Sequence, residues 1–143
     1  MSNTQRITPM LAYEDGPAAV DWLTRAFGFE EVADARMTGP DGRIGHAELR
    51  LGEAQVYLAM PTPAYESPRH HAEHCVEART WREVPYVIDG VHVVVDDVDA
   101  HFARAKEAGA TILSGPEDQP YGERVYRAED LEGHRWMFAQ PIA

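Results

Sequence analysis

Three side chains in this sequence could combine into a catalytic or metal-binding group: His46, Glu48 and His92. His46 and Glu48 are two residues apart, so both lie on the same face of an extended strand. Two imidazoles and one carboxylate form a ligand set that iron(II) and zinc accept. Without a metal, Glu48 and His92 could act as general base and acid. In the alternative interpretation all three are polar wall residues that orient a ligand or bond to Arg50 or Tyr57.

A second group of potential ligands lies in the segment RHHAEHC: His70, His71, His74 and Cys75. On a helix, His70 and His74 share one face, and so do His71 and Cys75, so either pair could form half of a transition-metal site. No matching pair at regular spacing follows, which favours a solvated helix that covers a cleft or a dimer interface. A neighbouring histidine alone does not establish Cys75 as a nucleophile.

The composition excludes several classes of partner. The 143 residues carry 13 Lys plus Arg against 24 Asp plus Glu, and the formal net charge is −11. Because this charge repels phosphate backbones and anionic headgroups, we expect neither nucleic acid nor a membrane as partner. Cys75 is the single cysteine, and the polar start Met1–Arg6 lacks an apolar signal segment. We therefore expect a cytoplasmic protein.

The elements that must position these side chains begin with a strand at Ile7–Tyr13. A helix follows, with Pro17 in its first turn, apolar residues three and four apart, and Gly28 at its end. Three strands separated by short turns are then predicted over 29–36, 43–51 and 54–60. The first part of the chain therefore predicts the order βαβββ.

The same order is repeated about eighty residues later. Val91–Val95 predicts a strand, and a helix follows from Val98 to Gly109. Three short strands are predicted over 111–113, 124–128 and 134–140. We interpret the chain as one domain, 1–143, with a first module at 1–60, a joint segment at 61–89 and a second module at 90–143. The joint segment is too long for a bare loop and contains a predicted helix over about Pro68–Trp81.

Two such modules predict an α+β fold with a curved, mostly antiparallel eight-stranded sheet around a cleft, and helices on the outside. Strand alternation indicates which side chains face the cleft. The first module contributes His46, Glu48, Arg50, Gln55 and Tyr57 to this face. The second module contributes His92, Arg135 and Met137, with Tyr126 and Arg127 nearby.

The duplicated plan, the FGFE sequence that closes the first helix, and DLEGHRW before the last strand resemble the vicinal oxygen chelate superfamily. That group contains glyoxalases, extradiol dioxygenases, fosfomycin-resistance enzymes and bleomycin-binding proteins. The segment GHAELRLGE, residues 45–53, is similar to the PhnB-like glyoxalase branch. The resemblance implies the architecture and leaves the reaction open.

The resemblance also implies four metal-ligand positions, at the first and last strands of each module. In this sequence they fall on Thr8, Tyr57, Gly90 and Met137. None of these is His, Glu or Asp, so the family's metal chemistry does not transfer and no cofactor is expected.

Three functions are compatible with these observations. The favoured one is a protein that binds a small, aromatic or cationic, antibiotic-like molecule without metal, through His46, Glu48, Tyr57, His92, Arg135 and Met137. The alternative is a metal-dependent lyase, isomerase or dioxygenase of the glyoxalase type that uses a displaced site of His46, Glu48 and His92. The third is a structural or regulatory module. Because edge strands gain by being covered, we also expect a homodimer.

Overall fold

The computed structural model describes residues 6–84 and 89–142. The first module contains β1 (Met10–Ala12), α1 (Gly16–Phe27), β2 (Glu30–Glu31), β3 (Met37–Thr38), β4 (Ile44–Leu51) and β5 (Ala54–Ala59). The joint segment contains α2 (Pro68–His74) and α3 (Val76–Trp81). The second module contains β6 (Gly90–Val94), α4 (Val98–Glu107), β7 (Thr111–Asp118), β8 (Glu123–Glu129) and β9 (Arg135–Pro141). The α+β class is thereby confirmed, and the second module has the predicted order βαβββ, whereas the first module has four strands after its helix.

The strands form two open sheets, where the sequence predicted one sheet of eight strands. The described part of the chain has a five-stranded sheet with the order β1-β5-β4-β2, in which β3 also pairs with β4, and a four-stranded sheet with the order β6-β9-β8-β7. The predicted strand over 29–36 is instead interrupted by a 3-10 turn at Ala33–Ala35. The predicted turn after residue 113 is instead part of β7, which pairs with β8 through two register shifts. Bulges accommodate turn-forming residues within a continuous strand.

Helix α1 begins and ends where the sequence predicts. The Asp15 carboxylate accepts a hydrogen bond from the Ala18 amide at 3.0 Å, and a proline follows in the first turn. Gly28 ends the helix with φ 82°, a left-handed conformation that only glycine adopts without strain. These signals fix where the helix lies between β1 and β2.

Both sheets pack their helix-facing sides against α1 and α4, and the two helices contact each other. Phe27 at the end of α1 packs on Phe138 of β9, with ring centroids 4.7 Å apart, and on Trp136 at 5.5 Å. One hydrophobic core therefore contains side chains from both modules, and the sides of the sheets that face away from the helices are left for other contacts.

The joint segment does not form the single helix predicted over Pro68–Trp81. The chain is extended at Cys75, with φ −125° and ψ 113°, which separates α2 from α3. The Arg79 guanidinium donates hydrogen bonds to the backbone carbonyls of Ala72 and Glu73. In an unbroken helix, these carbonyls would accept from backbone amides one turn later. The i, i+4 pairing of His71 with Cys75 is therefore wrong. Residues 85–88 of the joint segment lie outside the described residues.

Among the described residues, no helix is long and apolar enough to cross a membrane.

Candidate functional site

We use the term open face for the side of each sheet that faces away from α1 and α4. In the first sheet, Ala47, Leu49, Val56 and Leu58 are buried on the helix side. Strand alternation therefore places the intervening side chains on the open face. They are His46, Glu48, Arg50, Gln55 and Tyr57, as the sequence predicts.

A polar and aromatic cluster occupies the open face of the first sheet. The His46 Nε2 lies 2.8 Å from one Glu48 carboxylate oxygen, and Gln55 donates to the other oxygen at 3.1 Å. Because an ionised carboxylate only accepts, His46 donates to Glu48 through Nε2. Tyr57 lies opposite Glu48 in the sheet, and its ring meets the His46 ring edge to face at 4.9 Å. The cluster is held in place and partly exposed.

The open face of the second sheet carries a row of three side chains across neighbouring strands. His92 of β6 pairs in register with Met137 of β9, which pairs with Arg127 of β8. His92 also contacts the Glu123 carboxylate at 3.0 Å. The Arg127 Nε is buried and has no hydrogen-bond partner among the described residues. Buried guanidinium nitrogens normally donate a hydrogen bond, so this nitrogen has a donor that the described residues leave unused.

A groove of about 760 Å³ lies between the two modules. We call it the inter-module groove; its lining comes from the stretch before β1, the turn between β4 and β5, and β6. Arg50, Gln55 and His92 reach it from the two open faces, and Arg6 and Glu53 bring charges of both signs. A neighbouring groove of about 880 Å³ is also lined by His92. Of the predicted ligand contacts, His92 alone lines these two grooves, whereas Glu48 is connected to the inter-module groove through Gln55.

Arg135 has a different surrounding from the one the sequence predicted. It is 4% exposed, and its guanidinium donates to the Glu129 carboxylate at 3.1 Å and to the carbonyls of Arg82 and Val84. Arg82 also pairs with Glu129. Arg135 therefore attaches the joint segment to the second sheet.

Tyr126 was expected near the cleft but is fully buried on the helix side of the second sheet. Its hydroxyl contacts His101 Nδ1 at 2.6 Å, and His101 Nε2 contacts the Phe27 carbonyl at 2.8 Å. Because a carbonyl only accepts, the Nε2 carries the proton and Nδ1 accepts from the Tyr126 hydroxyl. Burial lowers the pKa of His101 and raises the pKa of Tyr126, so both groups are neutral parts of the core.

The acidic turn after β8 has a structural role. Asp130 is fully buried, and its carboxylate accepts from the Tyr13 hydroxyl, from the Trp136 indole and from two backbone amides of its own turn. The Glu132 carboxylate accepts from the amides of Glu14 and Asp15 at 2.7 and 2.9 Å. These bonds connect the turn to the start of α1, so the carboxylates join the two modules.

The metal positions that the resemblance implies do not fit a metal ion. Thr8, Tyr57, Gly90 and Met137 offer a hydroxyl, a phenol, no side chain and a thioether, which is not a donor set for the divalent ions of this superfamily. The displaced set also fails within one chain. Among the described residues, His46, Glu48 and His92 do not bring their ligand atoms within 4.8 Å of one another.

A different group of ligand atoms does come together, on the joint segment. Glu66, His70 and His74 place one ligand atom each within 4.8 Å of the others. The sequence pattern predicts His70 and His74 as candidate metal ligands, but it does not predict Glu66. The spacing of four residues from Glu66 to His70, repeated to His74, is the signal that could have found it, although Glu66 precedes the first turn of α2.

Three comparisons relate this chain to known proteins. It is 34% identical over 136 residues to an uncharacterized protein of Mycobacterium bovis, covering 95% of this chain and 83% of that protein. The structure of TioX from Micromonospora sp. ML1 is 35% identical, with a TM-score of 0.69 and coverage of 97% of this chain and 100% of that chain. TnmS3, an antibiotic binding protein from Streptomyces sp. CB03234, is 22% identical, with a TM-score of 0.63 and coverage of 99% and 98%. At 22% identity the likeness concerns the fold alone.

The family comparison covers almost the whole chain. The family model of the Glyoxalase/Bleomycin resistance protein/Dioxygenase superfamily matches residues 6–138, which include both modules and the joint segment. Two relatives are also above 30% identity over nearly the whole chain. The chain therefore belongs to the glyoxalase/bleomycin resistance protein/dioxygenase superfamily.

Proposed function

We propose that this protein binds a small, planar, cationic molecule of the antibiotic type on the open face of its first sheet, without the superfamily's metal. The observation that carries the proposal is the cluster of His46, Glu48, Gln55 and Tyr57. It combines one carboxylate, an aromatic ring and hydrogen-bonding groups on a partly exposed surface of the sheet. Such a combination suits a compound with an amine and an aromatic face.

Glu48 supplies the charge for a cationic group. Its side chain is 22% exposed, and its ion pair among the described residues is with His46, not with Lys or Arg. Both carboxylate oxygens already accept hydrogen bonds, so the group is held in one orientation before a ligand arrives. Because this carboxylate is already oriented, little conformational entropy is lost when a ligand binds to it.

The aromatic and basic side chains suit the remainder of such a ligand. Tyr57 offers a ring beside the carboxylate for stacking. On the second sheet, the row of His92, Met137 and Arg127 continues this polar and apolar surface. His92 and Met137 lie in the same row and would provide contact area.

One of the comparisons supports binding of a small molecule. TnmS3 is described as an antibiotic binding protein, and its fold covers nearly this whole chain. The residue segment 45–53 further supports a place in the PhnB-like branch. The acidic charge supports partners that are neither nucleic acid nor membrane, and the single cysteine supports a cytoplasmic protein.

We further propose that the protein acts as a homodimer. Strands β1 and β6 are at the edges of their sheets, and they expose Met10 (78%) and Val94 (56%). Met37 on the short strand β3 is also exposed. Apolar edge strands are stabilised when a second copy covers them. A scattering mass of about 32 kDa, twice the chain mass of 16.0 kDa, is expected, and a mass equal to that of one chain would contradict the dimer.

The binding proposal is tested by a thermal-shift screen with three cationic compounds that contain a planar aromatic group: doxorubicin, metal-free bleomycin and ethidium. Because a ligand that binds the folded state alone stabilises it, we expect a rise in Tm that increases with ligand concentration. N-acetylated doxorubicin, which has lost the amine charge, is the matched control ligand and should give a smaller rise. No rise with any of the three cations, or equal rises for doxorubicin and its N-acetyl form, would contradict the proposal.

A further inference from the structure

We propose that Glu66, His70 and His74 form a zinc site on the joint segment, separate from the open faces. The three residues place one ligand atom each within 4.8 Å of the others. Two imidazole nitrogens and one carboxylate oxygen are ligands that zinc takes at about 2.0 to 2.2 Å, in tetrahedral geometry. A single ion at the centre of the group can therefore reach all three with small side-chain adjustments.

Helix α2 provides the spacing that such a site needs. His70 and His74 are four residues apart on one helix, so their rings lie on the same face with centroids 5.9 Å apart. Glu66 precedes the helix, and its carboxylate contacts the His74 Nε2 directly. Zinc would displace the hydrogen of this contact, because a ligating imidazole nitrogen and carboxylate oxygen must both be unprotonated.

A second carboxylate holds one of the ligands in the orientation that metal binding requires. His70 Nδ1 lies 3.2 Å from Glu14, which only accepts, so Nδ1 donates to Glu14 and Nε2 is the ring nitrogen left for a metal ion. Histidine ligands commonly donate their other ring nitrogen to a carboxylate in this way. Glu14 is itself held, because its carboxylate accepts from the Ser67 amide at the start of α2, at 2.8 Å.

The exposure of the group leaves room for the ion and for a fourth ligand. The side chains of Glu66, His70 and His74 are 38%, 48% and 57% exposed. Three protein ligands leave one tetrahedral position, which water fills in an open site. Because Glu66 lies before α2 and His74 at its end, a bound ion would fasten the start of the helix to its last turn. We therefore expect zinc to stabilise the joint segment.

The site is tested by calorimetric titration of the untagged protein with Zn²⁺ in parallel with Co²⁺ absorption spectroscopy. We expect one Zn²⁺ per chain, a Co²⁺ spectrum of tetrahedral type, and a higher Tm with zinc. His70→Ala, His74→Ala and Glu66→Gln should each weaken zinc binding about tenfold or more, and Glu14→Gln about tenfold through His70. Mg²⁺ and Ca²⁺, which prefer oxygen ligands alone, should not compete.

His71→Ala is the matched control, because His71 lies on the same helix but outside the group of three. It should leave zinc affinity and the Co²⁺ spectrum unchanged. Circular dichroism of each variant checks that the fold is intact. Three results would overturn the site: no zinc binding at micromolar concentration, unchanged affinity in His74→Ala, or an equal loss in His71→Ala. None of these depends on ligand binding at the open face.

Discussion

The Tyr13 hydroxyl donates a hydrogen bond of 2.6 Å to the Asp130 carboxylate, across 117 positions of the sequence. Tyr13 follows β1 of the first module, and Asp130 begins the turn after β8 of the second. Both side chains are fully buried. Burial raises the pKa of Tyr13 well above its usual value, and the neighbouring Asp130 charge adds to the effect. This bond therefore fixes one module against the other.

Substitution of Tyr13 by Phe tests the strength of that connection. The carboxylate would keep its bonds to Trp136 and to the turn amides but lose one charge-assisted donor. A loss of about 2 kcal/mol in the free energy of unfolding is expected, from the ~1.5–3 kcal/mol typical of hydrogen bonds to charged groups. Urea denaturation measures it. Tyr121→Phe, at an exposed tyrosine, is the control and should change stability by less than ~0.5 kcal/mol. Equal effects of the two substitutions would contradict the assignment.

Arg135 is predicted to be a structural residue. Its side chain is 4% exposed, its partner Glu129 is 3% exposed, and Arg135→Leu would leave that carboxylate and two carbonyls short of donors. Breaking a buried ion pair costs about 3–5 kcal/mol in the free energy of unfolding. Because Arg82 still pairs with Glu129, we expect Arg135→Leu to lose an amount near the lower end of this range.

The control for Arg135 is Arg25→Leu, which removes an exposed ion pair with Asp21 on α1 and should cost less than ~1 kcal/mol. Chemical denaturation of both variants gives the comparison. A fully stable Arg135→Leu protein with weakened ligand binding would show that Arg135 contacts the ligand, contrary to this prediction.

His101 is predicted to make stability depend on pH. Burial lowers its pKa in the folded protein, so below its unfolded pKa, about 6.5, the unfolded chain binds a proton that the folded chain excludes. The free energy of unfolding should therefore fall as the pH is lowered from about 7.5 to about 5. His101→Gln keeps an amide that can donate to the Phe27 carbonyl but does not titrate.

The informative quantity is the difference in unfolding free energy between the wild type and His101→Gln, because all other groups titrate in both proteins. Denaturation across that pH range should show the difference shrinking as the pH falls. A difference that is constant with pH would mean that His101 is protonated equally in the folded and unfolded chains.

Much of the fold could be predicted from the sequence because its signals are local. The cap at Asp15, the left-handed Gly28 and the strand alternation in β4 depend on neighbours a few residues away. The break at Cys75 could not be predicted, because it depends on Arg79 reaching back to carbonyls of the previous helix. The division into two sheets likewise depends on how the modules pack through α1 and α4.

The candidate site could likewise be predicted only in part from the sequence. Alternation placed His46, Glu48 and Tyr57 on one face, since that pattern follows from strand geometry. It could not reveal that Arg135 is covered by the joint segment, or that Tyr126 points into the core, because these depend on contacts between distant segments.

The central claim, that Glu48 on the open face binds the cationic group of a small aromatic ligand, is tested most directly by calorimetric titration of doxorubicin into the wild type and Glu48→Gln. We predict that the wild type binds and that Glu48→Gln raises the Kd about tenfold or more, because a charge-assisted contact is worth ~1.5–3 kcal/mol. Glu107→Gln, at an exposed position at the end of α4, should leave the Kd unchanged. Equal Kd values for the wild type and Glu48→Gln, or no binding by either protein, would contradict the claim.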